Sequence, residues 1–111
     1  MEIKSQKFKH CDLLSVSGKV DSFTAPDLIK AIEALNNQNR FKIIIDLSKL
    51  EYMSSAGFRA LLLGQRNCKR YNRGEIVLAS VPKKVMDALE LTGFTPLFKI
   101  FNDNISAVGN F

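Results

Sequence analysis

No apolar run in this chain approaches the roughly 20 residues that a membrane-spanning helix requires. The opening segment MEIKSQKFKH also has no apolar core of the kind a secretory signal carries. The expectation is a protein that stays in the cytoplasm and does not insert into membranes. Cysteine is scarce too: Cys11 and Cys68 stand far apart, in neither a CxxC pair nor a metal-ligand cluster, and both are expected to be reduced packing residues. The one histidine, His10, is expected on a turn. Asp21 and Asp46 could in principle pair as carboxylates for a metal or an acid–base reaction, but no histidine or third acid accompanies them. A Walker loop, a GxSxG elbow and metal-ligand spacing are all missing, which points away from catalysis and from any bound metal or cofactor. Repeats, linkers and low-complexity segments do not occur.

What the chain does have is the composition of one soluble α/β domain over residues 1–111, with 46% hydrophobic and 24% charged residues. Sixteen Lys and Arg outnumber eleven Asp and Glu, giving a formal charge of +5 and a pI near 9.4. Such a balance favours acidic partners, nucleic acid or anionic lipid through long-range attraction.

Short β-branched runs alternate with helical patterns. Ile3 to Lys9 and Leu13 to Ser17 read as two strands joined by a turn. Thr24 to Asn37 reads as a helix with Leu28, Ile29, Ile32 and Leu35 on its apolar stripe. Thr24 is placed to cap it, Pro26 suits its first turn and Asp27 completes a capping box. Ile43, Ile44 and Ile45 leave Phe41 to Asp46 no solvent side, the pattern of a central strand in a parallel sheet. Further on, Glu75 to Ser80 is a strand. Pro82 opens a helix carrying Val85, Met86, Leu89 and Leu91, and Gly93 closes it. Leu97 to Phe101 reads as an edge strand, and Ile105 and Val108 belong to a short last helix. The order ββαβαβαβα describes a mainly parallel mixed sheet of about five strands with four helices.

The helix from Ser55 to about Tyr71 places Gly57, Leu61, Gly64, Cys68 and Tyr71 on one face, at spacings of four and three. Arg59, Arg66, Arg70 and Arg73 fall opposite. Phe58 and Leu62 lie off the buried stripe, where they either fill the seam to a neighbouring helix or form an apolar contact patch.

The segments GKVDSFTAPDL, IIIDLSKLEYMSSAGFRALL and ELTGF together resemble the STAS domain of bacterial anti-sigma-factor antagonists. The likeness spans essentially the whole chain and is most specific from Asp46 to Gly57. It implies a partner-switching protein with no enzymatic activity of its own. In that family an anti-sigma factor that is also a GHKL-type serine kinase phosphorylates the serine two residues before the glycine, here Ser55. A serine phosphatase reverses the step, and only the unphosphorylated form captures the anti-sigma factor and so releases the sigma factor. Ser54 stands where many antagonists carry Asp, which makes it the alternative acceptor. Asp21 and Thr24 match the family's D-x-x-T loop, so the implied partner-binding set is Asp21, Thr24, Ser54, Ser55, Gly57, Phe58 and Leu62.

The residues are compatible with that mechanism on their own terms. Ser55 is expected at the start of a helix, where unpaired N–H groups and the helix dipole favour an anion. Serine pairs before helices also serve simply as caps, Asp21 can be a turn residue, and Asp46 is either a ligand group at a strand end or a turn-forming Asp bonded to backbone amides. The alternative to an antagonist is a cytoplasmic STAS regulatory subunit of a membrane lipid or anion transporter. Arg66, Lys69, Arg70 and Arg73 could suggest nucleic acid, yet they also suit a helix C-terminus and no stacking aromatic motif accompanies them. No direct nucleic-acid partner is therefore expected.

Overall fold

Ile43, Ile44 and Ile45 are completely buried, as a run without a solvent side requires, and they occupy the middle of a six-stranded mixed sheet. The computed structural model describes residues 1–111. In chain order the elements are β1 (Glu2–Lys7), β2 (Asp12–Val20), α1 (Ala25–Asn36), β3 (Lys42–Asp46), β4 (Leu50–Met53), α2 (Ser55–Lys69), β5 (Glu75–Ala79), α3 (Lys83–Thr92), β6 (Lys99–Phe101) and α4 (Asn104–Gly109). Strands run β1-β2-β3-β5-β6, with β1 antiparallel to β2 and the others parallel.

The added element relative to the sequence reading is β4. Only Leu50 and Met53 of its four residues are buried, so it lacks the alternation that marks a half-buried strand. It pairs in parallel with the second half of β2, whose first half pairs with β3. The partner changes between Ser15, the last residue paired with β3, and Gly18, the first paired with β4, and a register shift follows between Gly18 and Lys19; Gly18 has φ +83°, which glycine adopts without a Cβ clash.

Alternation along the central strands divides the core. Ile43, Ile45, Ile76 and Leu78 face the layer of α1, α2 and α3, while Ile44, Val77 and Ala79 face α4 through Ala107. Cys68 belongs to the first cluster and Cys11 to the second. Both are free, buried thiols, and burial raises their pKa. Glu75 on β5 pairs with Lys99 on β6 at 3.6 Å. No helix is long and apolar enough to cross a membrane.

Several side chains depart from the periodic reading. Phe58 is 2% exposed and packs in the same cluster as Val85 and Leu89 of α3, so it fills the seam and is not part of an exposed contact patch. A wheel drawn for one helix sees one buried face, whereas α2 is flanked on both sides. Leu91 is 90% exposed, because two residues beyond Leu89 is about 200° round the helix. α2 ends at Lys69, and Tyr71 turns outward at φ 60° with 83% of its surface exposed. β6 starts at Lys99 because Thr95–Leu97, with Pro96, forms a single 3₁₀ turn first.

Candidate functional site

Val20 and Met53 are register partners at the ends of β2 and β4, and both are buried. The residue after each is therefore delivered to the same place: Asp21 begins one loop and Ser54 the other. The Ser54 N–H donates to the Val20 carbonyl at 2.8 Å, and the Ser54 carbonyl accepts from the Phe58 N–H at 3.2 Å. Ser54 is thus the N-cap residue of α2, but its side chain makes no capping bond. Its Oγ is buried without a hydrogen-bond partner. Ser55, the first residue of α2, is exposed.

Asp21 organises the facing loop. Its Oδ1 accepts from the N–H groups of Phe23 (2.9 Å) and Thr24 (3.0 Å), and the Thr24 hydroxyl lies 3.2 Å away. In return the Asp21 N–H donates to Thr24 Oγ1 at 3.0 Å. Bonds from Thr24 and Phe23 hold the exposed Asp21 carboxyl below the usual carboxylate range. These bonds use the Thr24 hydroxyl, so it does not cap α1 and the expected capping box is not formed. The loop instead turns Phe23 into solvent, 90% exposed.

Gly57 has a packing role. A Cβ there would stand 2.5 Å from Met53 Cγ and 2.9 Å from Val20 Cγ1, so glycine lets α2 approach the ends of β2 and β4. Leu62 is half-buried. Of the partner-binding set taken from the resemblance, Asp21, Thr24, Ser54 and Ser55 come together, while Gly57 and Phe58 serve the interior. One turn beyond Ser55 on the same helix face, Arg59 lines a shallow hollow with Ser55, Leu91, Thr92 and Phe94. No carboxylate lies within ion-pair distance of Arg59. The sequence reading did not single out Phe23, and it set Leu91 among the apolar positions of its helix. The signal for Phe23 was its place between Asp21 and Thr24, where an Asp-centred turn occupies the backbone and sends the side chain out.

Asp46, at the end of β3, is the turn-forming Asp. Its carboxylate accepts from the Ser48 N–H (3.0 Å), Asn104 Nδ2 (3.1 Å) and Ser15 Oγ (3.3 Å). Burial pushes its pKa up, but these bonds outweigh burial and leave it below the ordinary value. No three His, Cys, Asp or Glu side chains gather as a metal site. His10 lies with Lys9 and Arg40 at the starts of the strands, away from Ser55. The chemistry this arrangement offers is an accessible primary hydroxyl beside an unpaired guanidinium, with apolar side chains around it.

Comparison with known proteins gives the family and the fold. The chain is 29% identical over 110 residues to an anti-sigma-B factor antagonist of Listeria monocytogenes, covering 99% of this chain and 95% of that protein. Its fold is shared with a crystal structure of an anti-sigma factor antagonist from Mycobacterium paratuberculosis (TM-score 0.86, 24% identity, 98% of this chain and 92% of the other). The unphosphorylated form of the anti-sigma factor antagonist SpoIIAA is also similar in fold (TM-score 0.84, 15% identity, 98% and 95%). The family model described as "Mlab, STAS domain" matches residues 3–99, and the chain belongs to the STAS-domain family.

Proposed function

We propose that this chain is an anti-sigma-factor antagonist whose binding is switched by phosphorylation of Ser55. The observation that carries this reading is the exposed Ser55 hydroxyl at the start of α2, beside the Asp21 loop that the Ser54–Val20 bond holds against it. Relatives named as antagonists over nearly the full length support the same class.

In this reading the unphosphorylated face docks on an anti-sigma factor with serine kinase activity, and Phe23 and Leu91 supply apolar anchors around the serine. The kinase moves the γ-phosphoryl group of ATP onto Ser55 Oγ, which loses its proton as ADP leaves. A serine phosphatase hydrolyses the ester and restores the face. Phosphorylation adds about −1.5 to −2 charges and three acceptor oxygens. The start of α2 tolerates an anion, so the fold survives. An interface is less tolerant: stranding a charge there costs several kcal/mol, and about 1.4 kcal/mol is tenfold in affinity. The switch therefore needs no large change of shape.

The test is to incubate the protein with ATP and its candidate anti-sigma kinase, locate phosphate by mass spectrometry, and measure binding of wild type, Ser55→Ala and Ser55→Asp. Phosphate on Ser55 and loss of binding in Ser55→Asp are expected. Wild-type affinity in Ser55→Asp with no phosphate on the chain would sink the proposal. Co-purification with a transporter ATPase in place of an anti-sigma factor would replace it with the transporter-subunit reading.

A further inference from the structure

The excess positive charge is concentrated at the end of the sheet farthest from Ser55. α2 starts at the carboxyl ends of the strands and runs 15 residues, about 22 Å at 1.5 Å per residue, to the opposite end. There the register sets Lys7 beside Asp12, Asp12 beside Ile43, and Lys42 beside Glu75. Lys9, Lys42 and Arg73 line one hollow with His10, and Lys69 and Arg70 close α2 next to it. The acidic side chains at this end are already engaged. Asp12 pairs with Arg40 at 2.7 Å and Glu75 with Lys99 at 3.6 Å. Six cations are left without a carboxylate partner: Lys7, Lys9, Lys42, Lys69, Arg70 and Arg73. This surplus of six exceeds the formal side-chain charge of +5, so the rest of the chain is close to neutral.

Cations alone suit any polyanion, and Tyr71 narrows the choice. Expected on the buried face of α2, it projects into solvent among Lys69, Arg70 and Arg73. It does so at φ 60°, followed by Asn72 at φ 55°, two successive left-handed residues that are not glycine. The turn is pinned from below. Arg73 stacks 3.9 Å over the Phe41 ring, lies 5.7 Å from the Tyr71 ring, and donates to the carbonyls of Asn67 (2.6 Å) and Arg70 (3.0 Å). Gly74 passes so close to the Phe41 carbonyl that no side chain fits there. The ring is thus presented, before any ligand arrives, on a rigid cationic platform.

We infer that this end of the domain binds single-stranded nucleic acid, with a base stacked on Tyr71 and phosphates on Lys9, Lys42, Lys69 and Arg70. A duplex offers no open base face to the ring, and a membrane would require more apolar surface than one tyrosine amid lysines and asparagines. Of the two grounds for expecting no nucleic acid, the fit of these cations to a helix C-terminus and the lack of a stacking aromatic, Tyr71 removes the second. Because the surface lies at the opposite end from Ser55, it is available in both states of that serine and stands or falls independently of the switch.

The test is fluorescence anisotropy with labelled 20-nucleotide oligo(U) and oligo(dT), repeated across a range of salt. Binding is expected to weaken with a log–log salt slope near −3 for the four phosphate contacts, about −0.7 per contact. Tyr71→Ala should weaken binding roughly 5- to 100-fold at an unchanged slope, with Tyr71→Trp restoring it. Lys42→Gln and Arg70→Gln should each flatten the slope by about 0.7. Circular dichroism confirms that each variant is folded. No binding at low salt, full affinity in folded Tyr71→Ala, or equal binding to phosphatidylserine vesicles irrespective of Tyr71 would each overturn the inference.

Discussion

Ser54 donates its backbone N–H to Val20 at 2.8 Å while its own hydroxyl, buried at the same spot, bonds to nothing. The backbone of Ser54 therefore holds the Asp21 loop beside α2, and its side chain contributes no capping bond. Replacing a capping serine by alanine ordinarily costs about 0.5–2 kcal/mol. Ser54→Ala should instead unfold within about 0.5 kcal/mol of wild type in urea, and a kinase that modifies the native protein should modify this variant equally. Loss of phosphorylation in folded Ser54→Ala would make Ser54 the acceptor.

Arg59 shares a hollow with Ser55 and has no acidic partner. If Ser55 carries phosphate, the guanidinium one turn away is placed to pair with it. That pairing favours the dianion, so the phosphate should titrate at higher pH in Arg59→Gln than in wild type. Phosphorus NMR on protein bearing genetically encoded phosphoserine at position 55 measures this without the kinase. Superimposable titration curves would show that Arg59 does not hold the phosphate.

Phe23 and Leu91 are both 90% exposed, and Phe58 is 2% exposed. The contrast separates binding from stability. Phe23→Ser and Leu91→Ser should leave unfolding within about 0.5 kcal/mol of wild type, yet each should weaken anti-sigma-factor binding about tenfold or more, as lost apolar anchors do. Phe58→Ala should cost about 3–5 kcal/mol of stability. Calorimetric titration beside urea melts reads both quantities, and native affinity in the Phe23→Ser, Leu91→Ser double variant would place the docking surface elsewhere.

Legibility in the sequence followed how local each cause is. Three consecutive isoleucines announce a doubly covered strand without reference to any neighbour, and Gly93 marks the end of α3 because the left-handed φ of 76° is a local demand. β4 was not legible because its existence depends on β2 continuing past β3 to offer a second pairing edge. Phe58 needed knowledge of α3, and Tyr71 needed knowledge that Phe41 and Gly74 would trap the turn beneath it. At the candidate site, the start of α2 at Ser55 was readable from the motif. The apolar rim was not, since Leu91 entered the reading as an interior residue.

Arg40 shows how the β1–β2 turn is secured. Its guanidinium reaches Asp12 Oδ2 at 2.7 Å and the carbonyls of Phe8 and Cys11 at 2.8 and 3.1 Å. The Asp12 side chain is only 3% exposed. Arg40→Ala would leave a buried carboxylate without its cation, a defect worth about 3–5 kcal/mol. Arg40→Met with Asp12→Leu should recover much of that loss, because a matched apolar pair leaves no stranded charge. Urea melts of the single and double variants decide it, and a double variant no better than Arg40→Ala would mean that the bonds to Phe8 and Cys11 matter more than the ion pair.

Asp46 gives the acid limb of stability a definite sign. Its carboxyl titrates below the ordinary value of 3.8 in the folded protein, because bonds from Ser48, Asn104 and Ser15 outweigh burial. A depressed folded pKa means that the unfolded chain takes up the proton first as pH falls. The contribution is therefore complete above the unfolded pKa and is lost as pH drops from there through the folded value. Asp46→Asn has no such proton to take up, so its stability should fall less steeply than wild type below pH 3.8. Parallel urea melts from neutral pH down through that range test the sign: an equal or steeper decline in Asp46→Asn would show that other carboxylates, Asp21 and Asp103 among them, set the acid limb.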